Sequence, residues 1–481
     1  MALAFPVHPV TVGPIVGSTT DTSVRLWGRG EPPRPPGGRY CYGIAQLLAA
    51  GSTTPAQGAY FKLRAEDDFT GSVDFGGLQP AHAYAYRMGY FFSDVEEHLL
   101  VPPVGLELRG ATAGAFRTSR PPGSPELSFV FGSCRNPGPS EEEIVGLGNR
   151  GDRIFDTIYE QADSTPTDLL LMVGDQIYAD VRRDAHTFEE YCATYRDAFT
   201  QPCLRRLMAR VPTYMTLDDH EIADNWSMDK LVDPGLSNEA RWANRVRFQS
   251  AMEAYRAYQV VHGPALERRD VPGLTNTLTR YWYDFQVGPA RFFVLDTRTE
   301  RYHLARPPQI IGPPQLDALK HWLTKDAGGL KFVVSSVPLF PDVNLAGLMT
   351  VERRDKWAGF LLQRQHLLDF IRDNGVRRVV FLSGDIHASL WSELRSKSRP
   401  DFRLYSVISS AFSAPVFVPP EFMYEQAGVL DGQSDYVITR HGGYVQLSNF
   451  TRLTWKEPVL RVEVFERKGA RVQDAELRLD A

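Results

Sequence analysis

From Leu127 to His387 the sequence keeps setting a short, almost unbroken apolar run directly before a polar cluster, and it separates these runs with stretches of helical period. LSFVFGSC (127–134), LLLMVGDQ (169–176), TYMTLDDHE (213–221), KFVVSSVP (331–338) and VRRVVFLSGDIH (376–387) each read as a strand buried on both faces. Between them, DRIFDTIYEQA (152–162) places Ile154, Phe155, Ile158 and Ala162 on one helical face. Further helices are predicted around 187–209, 237–258, 313–326 and 360–374, the third with prolines in its first turn, and a hairpin over 279–298. Strands alternating with helices define an α/β domain.

Residues 1–120 differ. TSVRLWGRG (22–30), AYAYRMGYFF (83–92) and VGLELRGATAGAFRT (104–118) alternate apolar with polar residues between Gly/Pro turns, which predicts a β-sandwich. SRPPGSPE (119–126) then supplies linker punctuation, so the expected domains are 1–120 and 127–481. At 481 residues two cores are expected rather than one. A net charge of −5 without a long basic run gives no electrostatic footprint for nucleic acid or a membrane surface, so specific nucleic-acid binding is not expected. Four cysteines cannot frame so long a chain; Cys192 and Cys203 are spaced to pair, and two buried thiols are the simpler reading. No apolar stretch is long enough for a transmembrane helix, and MALAFPVHPVTVGPIVG shows neither a basic export region nor a twin-Arg pair. A soluble chain is expected, cytoplasmic as it stands, or secreted or periplasmic if a leader has been removed.

The chemistry lies where the strands end: Ser133-Cys134-Arg135, Gly174-Asp175-Gln176-Ile177-Tyr178, Asp218-Asp219-His220-Glu221, Asp296-Thr297-Arg298 and Gly384-Asp385-Ile386-His387. Taken singly, these are ordinary features: helix caps, buried thiols, a core aromatic, ion-paired arginines. Jointly they can converge on one crevice beyond the carboxyl ends of the strands. Gly-Asp-x-x-Tyr turns a carboxylate and a phenol toward one cation, and a phenol coordinates usefully only to a strongly acidic ion, which favours a trivalent metal. Cys134 adds a thiolate and His387 an imidazole, while Asp219 and Asp385 offer oxygen to a harder neighbour such as Ca²⁺, Mn²⁺ or Zn²⁺, with Asp175 between the two. A two-metal site of this kind generates hydroxide for in-line attack on a phosphoryl group. His220 is then the candidate general acid, and Arg135 and Arg298 are candidates to clamp the substrate's phosphate oxygens.

GSC (132–134), GDQIY (174–178), LDDHE (217–221), LDTR (295–298) and SGDIH (383–387), in this order, resemble the motifs of the alkaline phosphatase D, or PhoD-like, family of calcineurin-type metallophosphoesterases. The likeness extends over residues 127–415, and GPIVGSTTDTSVRLWGRG (13–30) with AFRTS (115–119) resembles the β-sandwich that precedes this catalytic domain. The resemblance implies an αββα domain, a small-molecule phosphate ester as substrate, and ferric iron beside one or more divalent ions, calcium first among them. It carries over Cys134, Asp175, Tyr178, Asp219, Asp385 and His387 as ligands, Asn225 as an approach to the second metal, and His220 as the acid. Two departures stand out: no twin-Arg leader, and Val334-Ser335-Ser336-Val337-Pro338 where related enzymes place another His. Diester-tolerant as well as monoester activity is implied. The competing readings are a metal-dependent hydrolase of carboxylic esters or lactones, and a non-enzymatic metal-containing binding protein. GLGNRG (146–151) matches a dinucleotide fingerprint in letters only, because no strand precedes it.

Overall fold

The computed structural model describes residues 6–33, 39–136, 152–266, 280–342, 350–413, 421, 424, 427–430 and 434–480. GLGNRG (146–151) lies outside them.

The N-terminal strands are β1 (His8–Pro9), β2 (Val12–Thr19), β3 (Ser23–Arg29), β4 (Tyr40–Ala49), β5 (Gln57–Leu63), β6 (Thr70–Gly76), β7 (Ala83–Ser93) and β8 (Thr112–Arg117). They form a sheet ordered β1-β7-β4-β5, with β8 on β7, and a smaller sheet β2-β3-β6. Val16, Leu26, Val73 and Phe75 of the small sheet pack on Ala45, Leu47, Phe61 and Met88 of the large one, giving a sandwich. The strand expected over 104–118 begins only at Thr112. Gly110 turns the chain at a φ of 89°, where a Cβ would meet the Val7 carbonyl at 2.6 Å.

Beyond it, β9 (Glu126–Arg135), β10 (Leu170–Val173) and β11 (Thr213–Thr216) run parallel, and β9 continues through the antiparallel β21 (Asn449–Lys456), β22 (Val459–Glu466) and β23 (Arg471–Arg478). A second sheet runs β12 (Tyr283–Val287), β13 (Ala290–Val294), β14 (Leu330–Val334), β15 (Val379–Ser383), β17 (Arg403–Ile408), β16 (Ser389–Ser396), β20 (Tyr436–Val445), β19 (Gly428–Val429). The short β18 (Ser410–Ser413) pairs with the end of β9.

Period-two alternation assigns each side chain to a layer. Phe129, Phe131, Leu169, Leu171 and Val173 meet Phe332, Val334, Val380 and Leu382 between the sheets. Their alternates Val130, Leu170 and Met172 face helices α1 (Arg153–Ser164), α2 (Phe188–Phe199), α3 (Pro202–Met208) and α4 (Asn238–Tyr255). Val333, Val379 and Phe381 face α5 (Pro313–Lys325) and α6 (Leu361–Asp373). The result is αββα. The single helix expected over 187–209 is two, because Pro202 opens a new helix at its first turn and cannot continue the previous one. Both Cys192 and Cys203 are free thiols. No helix among the described residues is long and apolar enough to cross a membrane.

The sandwich shares the helical layer's core: Val12, Ile15 and Trp27 lie in one cluster with Phe199, Leu204 and Tyr258. Polar contacts reinforce the seam, with Trp27 Nε1 donating to the Ala257 carbonyl at 3.0 Å and Tyr86 Oη to the Ala209 carbonyl at 2.7 Å. Asp68, almost fully buried, accepts from Arg29 at 3.0 Å and from Arg196 at 2.6 Å, joining sandwich to helix through charge.

Candidate metal centre

Parallel strands end on one side of their sheets, so β9, β10, β11, β13 and β15 deliver their following loops to a common edge. Among the described residues, ten non-glycines have left-handed φ, and five of them are expected ligands: Cys134 (56°), Asp175 (55°), Asn225 (51°), Asp385 (71°) and His387 (54°). Only a few per cent of non-glycine residues adopt this conformation, so its concentration here marks loops held against local preference.

At the centre is Asp175. Its Oδ2 accepts from Cys134 Sγ at 3.4 Å and from Tyr178 Oη at 3.3 Å, and all three side chains are buried. Ligand atoms of Asp175, Asp219 and His220 lie within 4.8 Å of one another, as do those of Asp218, Asp219 and Asp385. Asp219 thus belongs to both groups. His220 Nδ1 sits 2.8 Å from Asp180 Oδ1, and its ring lies 4.2 Å from that of Tyr178. His387 donates its backbone N–H to Ser410 Oγ at 3.0 Å, and its imidazole joins neither of the two groups. Asn225 donates its backbone N–H to Asp219 Oδ2 at 2.5 Å and turns its amide to Asp224.

Neither arginine expected to clamp phosphate is presented to solvent. Arg135 forms a two-pronged pair with Asp152 at 2.7 and 2.6 Å and bonds the Ala198 carbonyl, tying β9 to α1 and α2. Arg298 has no exposed surface. It binds Asp218 at 2.6 Å and Asp355 at 2.6 and 2.9 Å, with Asp219 and Asp385 at 3.4 and 3.7 Å. Arg298 thus lies as a counter-charge within the acidic cluster, whereas Arg135 is engaged with Asp152 outside it. Lys356, which the sequence did not single out, places Nζ 2.7 Å from Asp385 Oδ2. Arg301, Asp355, Asp180, Asp218 and Glu221 also contribute charge here, with no ligand or catalytic role expected of them from the sequence. Asp218 and Glu221 stood inside the quoted DDHE motif, whereas no local pattern announces the other three.

The electrostatics are those of a site short of positive charge. Burial, with the neighbouring Cys134 and Asp218 charges, drives Asp175 well above the carboxylate range. Burial lifts Asp218 to about 8 against the pull of Arg298, and Asp385 to about 6 against Lys356. Burial raises Cys134 to about 12. Asp219 is the exception: burial is outweighed by Arg298 and His220, and its carboxyl falls below the usual range. Burial alone would lower His220, but the Asp219 and Asp175 carboxylates and the Asp180 contact push it up to about 11. Asp175 Oδ1 and Asp218 Oδ2 are buried acceptors with no hydrogen-bond partner among the described residues. Orphaned buried oxygens beside a thiol and a phenol are the donor set a cation would satisfy.

A family model described as PhoD-like phosphatase matches residues 148–451. The chain is similar to alkaline phosphatase D of Bacillus subtilis (strain 168), with 26% identity over 436 residues, 81% of this chain and 66% of that protein, so it spans slightly less than two thirds of that relative's length. Among solved structures it is similar to PhoD, with a TM-score of 0.70 and 18% identity, over 98% of this chain and 93% of that one. It is also similar to the purple acid phosphatase PPD1 from yellow lupin (Lupinus luteus) seeds, with a TM-score of 0.60 and 15% identity, over 99% and 75% of the two chains. The two structural likenesses show the fold.

Proposed function

The chain belongs to the PhoD-like phosphatase family, and on that premise we propose that it is a metal-dependent phosphoric ester hydrolase whose centre is built around Asp175. The observation that carries this reading is the meeting of Cys134 and Tyr178 on Asp175 Oδ2, at 3.4 and 3.3 Å, while Oδ1 of the same carboxylate has no hydrogen-bond partner among the described residues. Cys134, Asp175 and Tyr178 would hold a ferric ion. Asp219 and Asp385, with Asn225 nearer the rim, would hold a divalent ion, calcium first and manganese or zinc as alternatives; Asp175 would be shared, and His387 would add its imidazole on the ferric side. When bound, the cations lower the pKa of water and offset charge on the phosphoryl group.

The chain's own residues do the rest. His220 is anchored through Nδ1 on Asp180, which fixes the ring and leaves Nε2 to carry the proton delivered to the departing alkoxide. Its place beside Asp219 and Tyr178 puts that proton next to the metal ligands. Arg298 and Lys356 supply fixed positive charge behind Asp218, Asp219 and Asp385, so the carboxylates stay grouped. Residues 1–120 form the N-terminal β-sandwich domain and 127–481 the catalytic domain in this proposal.

The test compares turnover of p-nitrophenyl phosphate, bis-p-nitrophenyl phosphate and p-nitrophenyl acetate by the wild-type chain and by Asp175→Ala, with elemental analysis of both. Phosphate-ester turnover that disappears in D175A together with metal content is expected. Activity on the acetate alone, or normal phosphatase activity in D175A, would refute the assignment.

A further inference from the structure

We propose that Glu221 is a positioning residue that holds the two metal-ligand loops in register, an inference that rests on the metal centre just described. Glu221 is fully buried at the end of the third parallel strand, and its carboxylate collects backbone N–H groups from two separate loops. Oε1 accepts from Gln176 at 2.6 Å and from Ile177 at 3.4 Å; Oε2 accepts from Asp175 at 3.1 Å and from Asp218 at 2.8 Å. Gln259 Nε2 adds a fifth donor at 3.2 Å. A carboxylate has about four lone-pair sites. Five donors saturate it, so Glu221 acts on the centre through backbone and not as a ligand.

The loop geometry explains why an anion is needed there. Gly174 and Asp175 both take left-handed φ, at 89° and 55°, so the N–H groups of Asp175, Gln176 and Ile177 turn to one side. Successive N–H groups arranged in this way form an anion-binding nest. In this chain the nest is filled by its own glutamate, which leaves the Asp175 side chain directed at Cys134 and Tyr178. The same carboxylate holds the N–H of Asp218, next to Asp219, so one side chain sets the spacing between Asp175 on one loop and Asp219 on the other. Gln259 is brought to it by a π-turn over Arg256–Val260, which turns the adjacent Tyr258 to Asp68 of the sandwich. Glutamine at 221 would replace one acceptor oxygen by an NH₂ donor facing two N–H groups.

The experiment measures Mn²⁺ binding to the metal-stripped full chain, well below its unfolding temperature, in wild type, Glu221→Gln and Gln259→Met. Groups that orient metal ligands are worth 10–100-fold in affinity. A loss of about that size in E221Q, in protein whose circular dichroism matches wild type, is expected, because a role confined to stability would leave affinity unchanged in the folded state. Equal Mn²⁺ affinity in folded E221Q and wild type overturns this inference alone. No Mn²⁺ binding by wild type overturns the metal-centre reading and the inference with it. If E221Q does not fold, Gln259→Met decides: a several-fold loss of affinity with an unchanged unfolding midpoint supports the role, and wild-type affinity overturns it.

Discussion

Removing Arg298 separates a buried counter-charge from a substrate clamp. In Arg298→Ala the cavity loses a guanidinium that binds Asp218 at 2.6 Å and Asp355 at 2.6 and 2.9 Å and lies within 4 Å of Asp219 and Asp385. The side chain is wholly buried, so its removal leaves the carboxylates without their counter-charge inside the protein. Breaking a buried ion pair from one side costs about 3–5 kcal/mol. With an unfolding entropy of roughly 2.1 cal/mol/K per residue over 481 residues, about 1 kcal/mol/K in all, the expected fall in Tm is about 3–5 °C. The liberated carboxylates then become better cation ligands, and at one fixed saturating concentration of Ca²⁺ or Mn²⁺ each tenfold fall in Kd adds about 1.4 kcal/mol of stabilisation over wild type. Differential scanning fluorimetry in chelator and in saturating metal therefore shows a larger metal-induced rise in Tm for R298A than for wild type. A variant with wild-type Tm in chelator and only a raised KM for p-nitrophenyl phosphate would make Arg298 the clamp after all, and the counter-charge reasoning would fail.

The other expectations concern the proton donor and the seam. His220→Ala should lower kcat by about 10²–10⁴ with metal content retained, and Asp180→Asn should lower it less, since it removes only the anchor on Nδ1; metal loss in H220A by elemental analysis would show His220 to be a ligand instead. Asp68→Asn should cost about 3–5 kcal/mol at neutral pH, because it strands Arg29 and Arg196. Burial alone would raise the Asp68 carboxyl, yet the Arg29 and Tyr258 hydrogen bonds and the arginine charges hold it below its ordinary 3.8. A depressed folded-state value means that this stabilisation is present above pH 3.8 and is lost as pH falls through the folded value. The gap in stability between D68N and wild type should therefore close in acid, and a constant gap from neutral pH to below 3.8 would contradict the linkage.

What was legible in the sequence was whatever is encoded locally. A strand buried on both faces needs apolar residues at both parities, so Leu169–Val173 and Val379–Leu382 stood out as runs, and the polar residues after them had to lie at strand ends. Gly174-Asp175 and Gly384-Asp385 then announced turns. The break at Pro202 could have been read from the proline alone, and the late start of β8 from Gly110. Partnership was another matter. Asp355 meets Arg298 from 57 residues away and Arg301 from 54, and Asp152 meets Arg135 from 17, so a strand-end arginine reads identically whether it faces substrate or a buried carboxylate. Glu221 shows the same limit from the other side. Four of its five donors are backbone groups, of residues 44 to 46 positions earlier and of Asp218, and backbone donors carry no residue identity for a sequence to display.

The charges also bear on how such a site forms. Asp175, Asp218, Asp219, Asp385 and Glu221 from strand ends and Asp355 from the end of a short helix are collected in one buried region, where like charges would oppose folding. Arg298, Arg301 and Lys356 lie against Asp218, Asp355 and Asp385. The acidic cluster is thus partly neutralised by the protein itself before any cation enters. The neutralisation is uneven. Asp219 is held charged by Arg298 and His220, whereas Asp175 is pushed by burial toward its protonated form. Cys134 and Tyr178 touch that same carboxylate, and a cation bound there has to displace the protons that burial favours, which a strongly acidic ion does best and which makes its binding depend on pH.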